Sequence, residues 1–431
     1  MGDGRPLGAP IARSANSSSS IAIPDSYPLN FLWKQGMIRN RRNRYPGARH
    51  SPFSASSRRS EAISGYLFVL PAGLVLAIFG LLPLLYNLYI SLFNWHIKRA
   101  TFIGLGNYKE IFGGVAPFVM LVVSVSLLAS GCAFVGKKQK LLVRLLALFL
   151  LACGAAALAF TLPQINSLGD PDMLRSFRVT LWYSLGTVPI QLFFGFLVAA
   201  ALDGKFDGKQ TFRVIYLLPY IVPAVATAAV FERLFSLRPE SWANQMLALF
   251  GAHPLQWLRE YKGIFELLFG LAPTNGAGSL SDYWSTWAGG PSLALVSIMF
   301  YNYWVFIGYY ALIFANGLAA VPRQLYEAAA LDGASPLTML RRITLPLVSP
   351  TTYFLTILGI IGTFKSFNSI YVLRDPSTGG VTDPMSVYIF FQFFHGGRFG
   401  YAAALSMVLL VIVVILTLIQ RRSMEKRVFY G

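Results

Sequence analysis

The sequence predicts an all-α, polytopic membrane protein. Of its 431 residues, 55% are hydrophobic and only 13% are charged, which is too apolar a composition for one water-soluble core. Several stretches of about 20 residues carry almost no charge, and a helix of that length crosses the roughly 30 Å hydrocarbon layer of a membrane. These stretches do not alternate between polar and apolar residues, so helices are favoured over a β-barrel.

Eight apolar windows are predicted to be transmembrane helices. They cover residues 66–93, 114–136, 141–162, 180–202, 213–236, 293–318, 350–373 and 401–420. The predicted parts of the chain are a disordered basic arm (1–60), the first helix with the loop after it (61–112), an inserted hairpin (113–163), a core domain (178–421) and a short tail (422–431).

Positive charge is distributed unevenly and predicts the orientation of the chain. If the N-terminus is cytoplasmic, the segments on that side hold 24 of the 36 Lys and Arg residues. Cytoplasmic loops carry such an excess, so both termini are expected in the cytoplasm. Nucleic acid is not an expected partner despite the net charge of +18, because the charge is spread over several loops and not gathered on one folded face. Membrane lipid is.

The longest connection between predicted helices, residues 237–292, is expected to form a small extracytoplasmic cap. It carries Trp242, Trp257, Trp284 and Trp287. Anchoring in the headgroup layer is the favoured role of these tryptophans, and docking of a soluble partner is the alternative. Residues 263–272 are apolar but span only about half a membrane, which predicts an interfacial or packed segment.

Residues 321–350, called the coupling segment below, are predicted to form a helix, a turn and a second helix. Pro322 presets a first helical turn, Gly333 permits a left-handed exit, and Pro336 can open the next helix.

The coupling segment resembles the EAA loop of bacterial ABC importer permeases. The residues that carry the resemblance are Glu327-Ala328-Ala329, Asp332-Gly333-Ala334, Ile343, Leu345-Pro346 and Pro350. The resemblance implies a pair of coupling helices seated in a cleft of an ATPase subunit, with Glu327 making polar contacts and Gly333 forming the turn. Leu340 stands where the family usually has an aromatic residue, and is expected to fill the cleft as a smaller apolar side chain.

Other stretches resemble the carbohydrate branch of the same permeases, in particular the larger permease subunit of maltose and maltodextrin importers. They are Tyr66–Tyr108, Thr180–Leu202, Phe212–Pro223 and Phe367–Leu373. The resemblance implies a type I importer fold in a bacterial inner membrane and transport by alternating access. The implied partners are a second permease subunit, two ATPase subunits and an extracytoplasmic sugar-binding protein. The ATPase subunits would bind ATP and magnesium, and this chain would bind no cofactor.

Polar and aromatic residues inside the predicted helices mark the expected substrate path, because such groups are costly in lipid unless they line a cavity. The candidates are Asn302, Trp304, Tyr309, Lys365, Ser366 and Asn368. Amides, hydroxyls and aromatic rings suit a sugar, which presents hydroxyls around apolar ring faces. Packing between helices is the alternative for the tyrosines and asparagines. Lys365 is the one feature that favours an anionic solute such as glycerol phosphate, and snorkelling toward a cavity is its other role.

Catalysis and ion-coupled transport have little support in the sequence. The stretch Gly131–Lys138 approaches a phosphate-binding loop, but Lys138 replaces the required Ser or Thr and the stretch ends an apolar helix. The four histidines are scattered, so no metal site is predicted. A secondary transporter would carry carboxylates at membrane depth in its central helices, which the sequence lacks. A non-catalytic transport subunit is therefore expected.

Overall fold

The computed structural model describes residues 55–96, 98–134, 141–204, 208–251, 253–270 and 280–424. The chain divides into two compact units, Met1–Leu74 and Val75–Gly431. In the first unit the described residues belong to helix α1 (Ala55–Leu76), whose apolar side chains from Ile63 onward are exposed. The predicted disordered arm lies outside the described residues except at its end, and most of the predicted tail does too.

The second unit is almost entirely helical, which confirms the predicted fold class. A π-helical turn (Ala77–Leu81) leads into α2 (Leu82–Ser91). A short antiparallel hairpin that was not predicted follows, formed by β1 (Phe93–Trp95) and β2 (Arg99–Phe102), with Phe93 paired to Phe102. The next helices are α3 (Gly106–Phe112), α4 (Val115–Phe134), α5 (Leu141–Leu168), α6 (Pro171–Ala201), α7 (Lys209–Ile221) and α8 (Ala224–Leu234).

Short helices and two long spans complete the chain. The cap contains α9 (Trp242–Ala248), α10 (Ile264–Phe269) and α11 (Leu280–Ala288), and α12 (Leu293–Ala319) follows it. The coupling segment contains α13 (Arg323–Leu331), α14 (Pro336–Met339), a π-helical turn (Leu340–Thr344) and α15 (Leu345–Leu347). The last elements are α16 (Ser349–Phe364), α17 (Asn368–Leu373), a 3₁₀ turn (Pro376–Thr378), α18 (Met385–Phe394) and α19 (Phe399–Met424).

Six stretches of helix in the described residues are long and apolar enough to cross a membrane. They are Ile63–Ser91, Val115–Phe134, Leu141–Leu168, Pro171–Ala201, Leu293–Ala319 and Phe399–Arg422. Two bent helix pairs raise the number to as many as eight if each pair is one span, in agreement with the eight predicted windows. Below, the end of the spans where α12 begins is the cap side, and the end where α12 leads into the coupling segment is the coupling side.

The predicted transmembrane window 213–236 is not one continuous helix. Helices α7 and α8 meet there at 92°. Pro219 and Pro223 explain the bend, because each removes a backbone donor, and the residue before a proline avoids the helical conformation. Val222, which precedes Pro223, has the extended angles φ −69° and ψ 141°.

The predicted helix over 350–373 is also interrupted, because α16 ends at Phe364 and α17 begins only at Asn368. Residues 363–367 contain neither Pro nor Gly, so the break depends on contacts with another part of the chain. The hydroxyl of Ser386 in α18 donates a hydrogen bond of 2.5 Å to the carbonyl oxygen of Ser366. A backbone acceptor that the break releases is thereby satisfied by α18, a short apolar helix inside a predicted loop.

Helices α6 and α12 pack against each other through two clusters of buried side chains. One cluster surrounds Tyr183 and Ile298, and the other surrounds Tyr310 and Phe314. Helix α7 also approaches α12 very closely at Gly308, where an added Cβ atom would lie 1.9 Å from the carbonyl oxygen of Tyr216. A residue with a side chain cannot fit there without moving one of the helices.

The carboxylate of Asp170 joins three helices on the cap side. It caps the N-terminus of α6, since its Oδ1 accepts hydrogen bonds from the backbone N–H groups of Asp172 at 2.9 Å and Met173 at 3.2 Å. Its Oδ2 accepts a hydrogen bond of 2.6 Å from the hydroxyl of Tyr388 in α18 and a second hydrogen bond from the hydroxyl of Tyr401 in α19. One side chain therefore fixes the starts of α6 and α19 relative to α18.

Helices α4 and α5 form the predicted hairpin and pack closely through glycines. An added Cβ atom at Gly131 would lie 2.7 Å from Cγ of Leu151, and one at Gly154 would lie 2.9 Å from Cγ of Leu128. The two ends of this hairpin also meet, because the backbone N–H of Asp170 donates to the carbonyl oxygen of Ile111 at 3.2 Å.

Candidate solute cavity and coupling segment

A cavity of about 200 Å³ lies between α6, α12 and α16. Its lining is a mixture of amides, hydroxyls, aromatic rings and glycine backbone. The lining residues are Tyr183, Gln191, Asn302, Phe306, Tyr309, Tyr310, Leu358, Gly359, Gly362, Thr363 and Ser366. None of these lining residues, all in the described part of the chain, carries a charge at neutral pH.

Two buried amides face each other at this cavity. The Nε2 atom of Gln191 in α6 donates to Oδ1 of Asn302 in α12 at 2.5 Å, and the two side chains are almost fully buried. A second polar contact joins α6 to α16, where the hydroxyl of Thr363 donates to the hydroxyl oxygen of Ser184 at 2.9 Å. The three helices around the cavity are thus linked by side-chain hydrogen bonds.

The hydroxyl of Tyr183 is the unsatisfied polar group at the cavity. It is fully buried next to Asn302 and Ser366, yet it has no hydrogen bond of normal geometry within the described residues. Buried polar groups in folded proteins are nearly always paired, so this hydroxyl is available to hydrogen-bond a molecule that enters the cavity.

An aromatic pair forms another side of the cavity region. The ring of Tyr309 stacks on the ring of Tyr220 with 4.5 Å between centroids and 18° between planes. Tyr220 lies close to the proline-induced bend between α7 and α8. Flat aromatic faces of this kind can pack against the apolar face of a sugar ring.

The structure brings half of the predicted substrate-path residues together. Asn302, Tyr309 and Ser366 all line the cavity. Trp304 instead packs against the ring of Phe231 in α8, with 5.2 Å between centroids, and remains half exposed. Lys365 and Asn368 are exposed on either side of the break between α16 and α17 and are not lining residues. A role of these six residues in transport stays a prediction.

Two lining residues in α6 were missed by the reasoning from sequence. Tyr183 and Gln191 belong to a polar stripe with Thr187, since the three residues follow one another at intervals of four. Residues four apart share one face of a helix, and all three side chains are buried. Polar residues at intervals of four inside an apolar window predict a helix with one polar face, which packs against other helices. This pattern could have identified Tyr183 and Gln191 from the sequence.

The coupling segment has the predicted helix, turn and helix. Pro322 immediately precedes α13, and Gly333 adopts the left-handed value of φ, 73°, after its end. Ser335 caps α14, its hydroxyl accepting the backbone N–H of Thr338 at 3.3 Å, and Pro336 is the first helical residue. The turn chemistry read from the sequence therefore corresponds to the backbone in the structure.

One hydrogen bond ties the two halves of the coupling segment together. The hydroxyls of Tyr326 in α13 and Thr344 in the π-helical turn lie 2.9 Å apart. Both side chains are at least partly buried, and Tyr326 packs with Ile343 and Leu347 beside the end of α12. The segment is therefore attached to the spans on one face.

The other face of the coupling segment is open. Among the residues that carry the family resemblance, Glu327, Ala328, Asp332 and Gly333 are exposed, whereas Ala329, Ala334 and Leu340 are partly buried. Leu331 is 89% exposed. Leu325 and Leu337 of the same segment are exposed as well, so the segment presents several large apolar side chains that are available for contact with another protein.

Two ion pairs organise the cap side around the 3₁₀ turn. Arg374 contacts Asp383 at 3.0 Å, and burial raises the pKa of Asp383 even though Arg374 opposes this effect. Arg259 of the cap pairs with Asp375. Partial burial alone would raise the pKa of Asp375, but hydrogen bonds from Ser377 and Arg259 outweigh it, so that pKa lies below its usual value.

The chain matches one protein family and is similar to named permeases. Residues 191–428 match the family described as binding-protein-dependent transport system inner membrane component. The trehalose/maltose transport system permease protein MalF of Thermococcus litoralis is 25% identical over 83% of this chain and 92% of its own length. The sn-glycerol-3-phosphate transport system permease protein UgpA of Agrobacterium fabrum is 30% identical over 61% of this chain and 80% of its own.

A solved structure shares the fold. It is a bacterial ABC transporter involved in the import of the acidic polysaccharide alginate, and it superposes with a TM-score of 0.54 at 17% identity. The superposition covers 86% of this chain and 97% of the other chain.

Proposed function

Because the chain belongs to the family of binding-protein-dependent transport system inner membrane components, we propose that it is the permease subunit of an ATP-driven importer for a neutral sugar. A short oligosaccharide of the maltose or maltodextrin type is the proposed substrate. The chain itself would form the path and catalyse no reaction, and ATP and magnesium would be bound by separate ATPase subunits.

The observation that carries this proposal is the uncharged polar cavity. Gln191, Asn302 and Ser366 offer amide and hydroxyl groups, and Tyr309 offers an aromatic face. The buried hydroxyl of Tyr183 lies beside Asn302 and Ser366 without a hydrogen bond of normal geometry, and a sugar hydroxyl would supply one. These are the groups that recognise a polyhydroxylated ring, whereas an anion in a buried site would call for a cation, which the lining lacks.

The proposed partners follow from the family and from the open face of the coupling segment. A second permease subunit would complete the path, two ATPase subunits would bind the exposed surface around Glu327 and Gly333, and a sugar-binding protein would deliver the solute on the cap side. Both termini would lie in the cytoplasm of a bacterial inner membrane, as the distribution of Lys and Arg supports.

The proposed mechanism is alternating access driven by the ATPase subunits. Closure of these subunits would displace α13 and α14 together, since the bond between Tyr326 and Thr344 joins the two halves of the coupling segment. Because α12 leads directly from the cavity into this segment, the displacement would change the side to which the cavity opens.

An anionic solute is the second candidate. The relative named as a glycerol-3-phosphate permease is 30% identical to this chain, and Lys365 lies one residue from the cavity residue Ser366. A rotation of the chain at the break after α16 would bring the Lys365 ammonium toward the cavity, where it could pair with a phosphate.

One experiment separates the two candidates. The chain is co-purified with its partner subunits in lipid nanodiscs, and ATP hydrolysis is measured while the binding protein is supplied with maltodextrins or with glycerol phosphate. We expect stimulation by a neutral sugar, its loss in Gln191→Ala, and an unchanged response in Lys365→Met. Stimulation by glycerol phosphate that disappears in Lys365→Met would reject the neutral sugar.

A further inference from the structure

The cap exposes a continuous apolar face on α9 and on the turn that follows it. The exposed fraction is 68% for Trp242, 57% for Met246, 78% for Leu249 and 84% for Phe250. Trp242, Met246 and the C-cap residue Leu249 are spaced by four and three positions, so at 3.6 residues per turn they share one side of the helix, and Phe250 follows in the turn after it. Large apolar side chains grouped in this way mark an interaction surface.

Helix α10 carries a second exposed apolar group. Leu268 and Phe269 at its end are both exposed, and Leu267 is partly so. Two backbone hydrogen bonds hold the helix beside the beginning of α12. The N–H of Ile264 donates to the carbonyl oxygen of Pro291 at 2.8 Å, and the N–H of Leu293 donates to the carbonyl oxygen of Lys262 at 3.0 Å. Helix α10 therefore starts level with the first residue of α12.

Helix α9 is held at the same level through its buried face. The Oδ1 atom of Asn244 accepts Nε1–H of Trp257 at 2.8 Å and the backbone N–H of Leu255 at 3.0 Å. The carbonyl oxygen of Trp257 in turn accepts the hydroxyl of Ser297 at 3.1 Å. Ser297 lies one turn after Leu293, so α9 is attached to the first turns of α12.

The first turns of α12 lie at a membrane boundary. Its 27 residues make a helix about 40 Å long, which exceeds the roughly 30 Å hydrocarbon layer by a few ångströms at each end. Any side chain held level with these turns and pointing away from the protein meets the headgroups and the ends of the acyl chains.

We propose that α9 and α10 lie in the membrane interface on the cap side, with Trp242, Met246, Leu249 and Phe250 inserted into the lipid leaflet there. Helix α8, which precedes the cap, exposes the apolar side chains of Val225 and Val230 before its exposed charged residues Glu232 and Arg233, a change from apolar to charged that is expected where a span leaves the membrane. Amphipathic helices that lie in this layer bury their apolar face by about 5–10 Å, and tryptophan is enriched at the same depth.

Two positions in one helix provide the test. Met246 and Ala248 are both exposed, and at two residues apart they point about 160° away from each other. Each is replaced by cysteine in the full chain carrying Cys132→Ala and Cys153→Ala, labelled with a nitroxide, and placed with its partner subunits in phosphatidylcholine nanodiscs. Collision of the label with O₂, which concentrates in lipid, is compared with collision with a water-soluble nickel chelate.

We expect the Met246→Cys label to collide mainly with O₂ and the Ala248→Cys label mainly with nickel. Equal access of nickel to both labels would show that the face is solvated, and protection of the Met246→Cys label from both reagents would show that a protein covers it. Either result would overturn the proposal. Leu249→Cys lies on the same face and replaces Met246→Cys if that variant has a lowered unfolding temperature.

Discussion

The candidate solute cavity and the coupling segment lie near successive parts of the same helix, α12. They differ in whether their polar side chains are buried and hydrogen-bonded or exposed. At the cavity, Gln191 and Asn302 are buried and hydrogen-bonded to each other. In the coupling segment, the side chains of Glu327 and Leu331 are exposed. The helices of the first region are held together by hydrogen bonds within the chain, whereas the second region leaves an exposed face that we propose binds another protein. Substitutions should therefore affect folding at the cavity and assembly at the coupling segment.

The largest loss of stability is expected for Gly308→Ala. The new Cβ atom would lie 1.9 Å from the carbonyl oxygen of Tyr216, so α7 and α12 must separate. Overpacking of this kind costs about 1–3 kcal/mol or more. Thermal unfolding in detergent measures it, with Gly362→Ala as the control, since a Cβ atom at Gly362 meets no atom within 4 Å. Equal unfolding temperatures of the two variants would contradict the close approach of the helices.

Removing one of the paired amides should have the next largest effect. Gln191→Leu leaves the buried Oδ1 atom of Asn302 without its partner, which costs about 1–3 kcal/mol. Adding Asn302→Leu should recover part of that loss, because two apolar side chains leave no unpaired group. Chemical unfolding of the single and double variants measures the difference, and strictly additive losses would mean that the two amides do not interact.

Tyr326→Phe should destabilise the chain less. It removes only the hydroxyl that is bonded to Thr344, a loss of about 0.5–1.5 kcal/mol. Thr344→Val removes the other hydroxyl of the same bond, so the double variant should be little less stable than either single variant. If this bond transmits force, complexes assembled with any of the three variants should take up less solute for each ATP that the ATPase subunits hydrolyse. Unchanged coupling in all three would restrict the bond to a structural role.

The smallest change in stability is expected for Leu331→Ser. The side chain is 89% exposed, so the free energy of unfolding of the chain should change by less than about 0.5 kcal/mol. Co-purification of the ATPase subunits should nevertheless fall. Leu318→Ser, at a buried position near the end of α12, is the matched control and should lower the unfolding temperature of the chain more than Leu331→Ser does. An assembly that tolerates Leu331→Ser would show that partner binding uses another surface.

The sequence allowed the spans to be predicted because a lipid-facing helix must stay apolar over its whole length. The bend between α7 and α8 also had a visible cause in Pro219 and Pro223. The break after Phe364 did not, since it depends on Ser386, a residue that the chain brings near only after folding. Local patterns reveal composition and backbone limits, but not which distant side chain will accept or donate a hydrogen bond.

The cavity was predictable in part for the same reason. Asn302, Tyr309 and Ser366 were noticed because polar groups stand out within an apolar window. Lys365 attracted notice as a charge at membrane depth, yet the break in the helix turns it away from the lining. Which polar residues share a cavity depends on how helices rotate against one another, and that rotation is determined by packing at positions such as Gly308.

The meeting of the two ends of the α4–α5 hairpin has a consequence for how such chains change over time. Ile111 and Asp170 are joined by a backbone hydrogen bond, and an added Cβ atom at Gly113 would lie 2.6 Å from the backbone nitrogen of Gly169. The chain thus leaves α3 and returns to α6 at nearly one point. A gene could gain or lose the whole hairpin through a single in-frame event, with a linker of a few residues closing the gap, while the helices around the cavity kept their register.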